Sequence, residues 1–105
     1  MTQSRLKSLQ EFLVREPNDS FTRYALAMEY VSMKDIPQAI SNLKDLLEHD
    51  SAYISAYHQL GNLYQKLGKP IDAVKVLEKG IELAEHLGET HAQKEMQELL
   101  DDIVD

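Results

Sequence analysis

Laid over itself at an offset of 34 residues, this 105-residue chain matches without a gap. Pro17–Asp50 falls on Ser51–Ala84: Leu26 lands on Leu60, Tyr30 on Tyr64, Ala39 on Ala73, Leu43 on Leu77 and Glu48 on Glu82. Close substitutions fill the intervals: Ala27 with Gly61, Met33 with Leu67, Ile40 with Val74, Leu47 with Ile81. The matched positions are nearly all apolar or small and recur every three to four residues, the spacing of one helix face. A period of this length marks a repeat architecture, in which one unit cannot bury its apolar face alone and neighbours must stack.

Each unit reads as two helices. Asp19 or Ser20 caps a helix running to about Met33, with Leu26, Ala27, Tyr30 and Met33 on its core face, and Lys34-Asp35 breaks it. Asp35 then caps a second helix with Pro37 in its first turn, where a missing N–H does no harm. The second unit repeats the plan: a helix from about Ile54 to Leu67, Gly68 as its C-terminal stop, and Pro70 opening the next helix. Shifted back by one period, Leu9 lies under Leu43 and Leu6 under Ile40, so Thr2–Arg15 reads as the second helix of an incomplete unit ended by Pro17. Shifted forward, the pattern fails at Lys94, Glu95 and Glu98. Glu89–Val104 is still predicted helical, with Thr90-x-x-Gln93 as a capping box and Ala92, Met96, Leu99, Leu100 and Ile103 as an apolar stripe. It is expected to close the last repeat with a polar outer face. The expectation is one all-α domain: a partial repeat (1–16), two repeats (17–50 and 51–87) and a capping helix (88–105).

The second unit, with Tyr57, Leu60, Gly61, Tyr64, Ala73, Leu77 and Gly80, resembles a tetratricopeptide repeat. That family's pattern is a large aromatic, Leu-Gly, Tyr, Ala, a Phe-like residue and Ala over one period. The first unit departs from it, with Arg23 where the aromatic belongs and Leu46 where a small residue is usual. Ser51 and Glu85 stand where the pattern places proline, a place Pro17 fills one unit earlier. The resemblance implies antiparallel helix-turn-helix units stacked as a short right-handed superhelix. It specifies a scaffold and no ligand.

The chemistry of the remaining residues is sparse. Gly61 and Gly68-Lys69 hint at a phosphate loop, but six residues separate the glycines, Pro70 follows the lysine, and the context is helical, so a Walker loop is not formed. The repeat accounts for both glycines, one at a close helix approach and one at a helix end. His49, His58, His86 and His91 are not spaced one helical turn apart, and no serine sits in a nucleophile elbow. Neither a metal, a cofactor nor catalysis is expected. A net charge of −7 argues against nucleic acid and anionic membrane surfaces. The absence of cysteine removes disulfides, thiolate zinc sites and cysteine nucleophiles without identifying a compartment. The chain shows no apolar leader segment and no apolar run near the ~18 residues of a membrane span, so a cytoplasmic protein is expected.

Members of the family commonly bind peptides or partner helices in a concave groove lined by the first helix of each unit. Carried over by register, that groove takes Phe21, Tyr24, Met28 and Val31 from the first unit, and Ser55, His58, Asn62, Gln65 and Lys66 from the second. The second set is polar. The first is an apolar stripe on a helix whose other face already serves the core, which calls for internal cover, a partner, or a two-fold contact with a second copy. A family variant clamps peptide carboxylates with Lys and Asn. Asn62 fits that role, but His58 replaces the lysine one turn earlier, and Glu89 and Gln93 stand where basic or amide groups would help. The function implied is non-catalytic binding of a protein or peptide, with a homodimer through helix 20–33 as the alternative.

Overall fold

The computed structural model describes residues 2–105, with side chains from Ser4 onward. Six helices and no strand occur among the described residues: α1 Thr2–Arg15, α2 Ser20–Ser32, α3 Ile36–His49, α4 Ile54–Lys66, α5 Pro70–Leu87 and α6 Thr90–Val104. They form two compact units, one holding α1–α3 and ending at Ser51, the other beginning at Ala52 and holding α4–α6.

In the first unit, α2 and α3 form a helical hairpin. The Asp19 carboxylate caps α2 by accepting from the Thr22 backbone N–H and hydroxyl. These bonds, the hydroxyl one foremost, hold its pKa below the ordinary carboxylate value. Asp35 caps α3 by accepting from Gln38 N at 3.3 Å. Between the two helices, Lys34 makes the turn with φ of +61°. The hairpin core is Leu26, Ala27, Ala39, Ile40, Leu43 and Leu46. Burying a side chain of Leu size contributes about 1.5–3 kcal/mol. Against α2 packs α1, through buried Leu13 and half-buried Leu6 and Leu9. An Arg5–Glu29 ion pair at 2.7 Å and a bond from Gln10 Nε2 to Tyr30 Oη at 3.2 Å tie the two helices.

The second unit wraps α5 between α4 and α6. Its core is Ala56, Tyr57, Leu60, Leu63, Ala73, Leu77, Ala84 and Met96. Two glycines let the helices meet. A Cβ on Gly61 would lie 2.5 Å from Leu77 Cδ2, and one on Gly80 would lie 2.6 Å from Tyr57 Cβ and 2.7 Å from Met96 Sδ. Gly68 and Gly88 take left-handed φ values of +72° and +71° at the ends of α4 and α5.

Two local expectations are corrected. Met33 is the C-cap of α2 and is 37% exposed, because the helix ends before Met33 can turn onto the core face. Thr90 and Gln93 do not form a capping box: Glu89 holds the N-cap position without a side-chain bond. The Thr90 hydroxyl donates to Gly88 O at 3.4 Å, and Gln93 Nε2 donates to Glu85 Oε2 at 3.2 Å. The left-handed turn at Gly88 brings Thr90 into the first turn of α6, one place too late to cap it. The stripe on α6 does face inward, with Met96 buried and Ala92, Leu99, Leu100 and Ile103 half-buried.

Candidate partner-binding surface

On α2, Phe21, Tyr24, Met28 and Val31 recur at i, i+3, i+7 and i+10 and so share one face. Phe21 is 74% exposed, while Tyr24, Met28 and Val31 are half-buried. The opposite face carries Leu26 and Ala27, at 5% and 0% exposure. The hairpin contacts thus consume one side of α2 and leave an aromatic at the open end of the other.

On α4, His58 and Asn62 are one turn apart and half-buried, and Gln65 and Lys66 are exposed further along. Beneath them Tyr57, Leu60 and Gly61 are buried against α5. The α4 surface is therefore a row of donors and acceptors on a tightly held helix. Gln93, one of the departures from the carboxylate-clamp pattern, donates its amide to Glu85. Among the described residues no three His, Cys, Asp or Glu side chains gather as a metal site would require, and no helix is long and apolar enough to cross a membrane.

Two features escape sequence reasoning. Arg23, at the aromatic position of the pattern, donates from Nη1 to Asn42 Oδ1 at 3.3 Å and from Nη2 to Pro17 O at 3.1 Å. Asn42 in turn donates to Gln38 O at 2.9 Å. A polar pair thus replaces an aromatic contact and ties the Pro17 turn to the hairpin. The offset of 34 holds the signal, since Arg23 and Asn42 pair with Tyr57 and Val76 and change character together. The second feature is a groove of about 380 Å³ lined by Pro70, Ile71, Val74, Lys75, Ile103 and Val104. Its two walls are some thirty residues apart in sequence, beyond the reach of single-helix periodicity.

Helical hairpins repeating every 34 residues, with glycine or left-handed turns at matching ends, define an all-α helical-repeat protein. The tetratricopeptide repeat model matches residues 54–87. The chain is 34% identical to a tetratricopeptide repeat domain protein from Salinibacter ruber, whose solution structure superposes with a TM-score of 0.79 over 83% of this chain and 88% of that one. It is 26% identical over 91 residues to a TPR repeat-containing protein of Pseudomonas aeruginosa, covering 87% of each. The TPR2B domain of yeast Sti1, solved in complex with pHsp70, shares the fold with a TM-score of 0.87 at 17% identity, over 94% of this chain and 79% of that one. The chain belongs to the tetratricopeptide repeat family. Domains of this family generally mediate protein–protein interaction and are typically non-catalytic.

Proposed function

We propose that the chain is a non-catalytic binding module, built as a partial repeat, two repeats and a closing helix, that takes a peptide or partner helix on the exposed face of α2, with the polar face of α4 as the contact surface of the second unit. The observation that carries this reading is Phe21, 74% exposed at the head of a stripe continued by Tyr24, Met28 and Val31. Aromatic and methionine side chains give a large, adaptable contact area for an inserted apolar side chain. On α4, His58, Asn62, Gln65 and Lys66 offer donors and acceptors to a peptide seated on that face. The yeast Sti1 domain is a precedent at the level of fold, and its ligand is not carried over, because a clamp here would lack its lysine at His58.

The test is selection of binders from a random-peptide display library, followed by anisotropy titration of the selected peptides. Phe21→Ser with Met28→Ser is expected to weaken binding at least about tenfold with an unchanged circular dichroism melt. Peptides that bind the double variant as tightly as the parent would sink this reading. A second reading uses the same exposed stripe to close a homodimer, and light scattering across concentration separates it: a strict monomer excludes it.

A further inference from the structure

We infer that the α5–α6 groove receives the outer side of α1 from a second copy of the chain, joining copies head to tail. This contact uses neither the α2 nor the α4 face and stands apart from ligand binding.

The acceptor is apolar at its floor and acidic at its rim. Ile71 is 72% and Val104 61% exposed, with Val74 and Ile103 half-buried between them. Lys75 is the one basic group in the lining. One turn beyond Val74 stands exposed Glu78, and three residues before Val104 stands exposed Asp101. Residues 70–105 hold ten acidic side chains against three lysines, a net −7, which is the whole formal charge of the chain.

The donor has the opposite character. Residues 2–15 carry Arg5, Lys7 and Arg15 against Glu11, a net +2. With Leu6, Leu9 and Leu13 turned to α2, the outer arc of α1 presents Lys7 and Arg15 between two exposed apolar side chains, Phe12 at 38% and Val14 at 83%. Phe12 occupies the place of Leu46, which is 1% exposed in the matching helix α3. The repeat pattern has therefore put a core-type residue at the surface of its own unit, with the Arg15 guanidinium over its ring at 5.7 Å. An apolar edge over Ile71 and Val104, with Lys7 and Arg15 over the Glu78 and Asp101 carboxylates, matches both chemistries at once. Because the two surfaces differ, the contact is heterologous.

The test is sedimentation velocity on the 105-residue chain over a concentration series at low and high salt. Concentration-dependent association is expected, weakening as salt screens charges over a Debye length that falls below about 10 Å. Ile71→Ser with Val104→Ser blocks the acceptor, and Val14→Ser with Arg15→Glu blocks the donor; each is expected to weaken association at least about tenfold while retaining the parental dichroism spectrum. Mixing the two variants leaves one intact pair of surfaces and is expected to restore a 1:1 complex that grows no further. A strict monomer overturns the inference. So does association that survives both variants, or a mixture that stays monomeric.

Discussion

The two hairpins share one pattern and are held together differently. At the starts of their helices the first unit has Asp19 and Asp35, whose carboxylates accept backbone N–H bonds. The second has Tyr53 and Lys69 at the same places, with no side-chain cap bond. At the turn the first unit forces Lys34 into φ of +61°, where the second uses Gly68. Between the helices the first sets Arg23 against Asn42 at 3.3 Å, while the second buries Tyr57 against Gly80. Local hydrogen bonds thus support the first hairpin, and backbone-close packing supports the second. One periodic pattern can be satisfied by either means, because it fixes where helices meet and leaves open what holds them.

The largest break of this contrast exchanges the small residue for the large one. Gly80→Leu gives the second unit the residue that Leu46 supplies to the first. The new side chain would drive into Tyr57 and Met96, at 5% and 0% exposure, which have no room to move. A loss of about 3 kcal/mol or more is expected, read by urea denaturation, since overpacking costs about 1–3 kcal/mol for added methylenes alone. Gly61→Ala is milder. Its Cβ meets Leu77 at 2.5 Å, and the better helix propensity of Ala returns about 0.5–1 kcal/mol, leaving a net loss of roughly 1–2 kcal/mol. The first unit already carries Ala27 at that position and should accept Ala27→Gly at no more than the propensity cost plus a small cavity.

How far the sequence reveals this follows from the range of each interaction. Helices, turns and the caps at Asp19 and Asp35 are legible because each depends on residues within one turn of one another. The close approach at Gly61 is legible because the period pairs it with the small Ala27, whereas Gly80 pairs with Leu46 and its approach is not. Met33 and Thr90 are misread where a helix end shifts by a residue, since capping depends on position to within one residue. The candidate binding stripe on α2 is legible as a face, yet the distribution of exposure along it, greatest at Phe21, depends on how the rest of its unit packs. The α5–α6 groove is invisible beforehand because Ile71 and Val104 become neighbours only through folding.

A smaller effect sharpens the contrast at the polar pair. Arg23→Ala removes bonds to Asn42 Oδ1 and Pro17 O, and a loss of about 1–2 kcal/mol is expected. Arg23→Tyr combined with Asn42→Val places in the first unit the residues found at the matching positions Tyr57 and Val76. If the two hairpins are interchangeable solutions, the double variant recovers much of what either single change loses, and the coupling appears in a double-mutant cycle. Additive losses would show that the first unit's spacing is specific to the polar pair.

The turn and the caps give the gentlest test. Lys34→Gly relieves a left-handed lysine and is expected to stabilise by about 0.5–1 kcal/mol, with Gly68 as its natural counterpart. Lys69→Asp places at the start of α5 the carboxylate that serves α3. The backbone there, φ −115° and ψ 69°, is near the −96° and 75° of Asp35, so a gain of about 1 kcal/mol is expected. Acid then separates the units. Asp19 is held below its ordinary pKa by the bonds from Thr22, so the stability it contributes is present above about pH 4 and is lost as pH falls through its lowered value. Amide exchange followed from pH 6 to pH 3 should show α2 losing protection more than α4, whose start has no carboxylate cap to protonate. Equal loss in both helices would mean that the caps do not set the stability of the first hairpin.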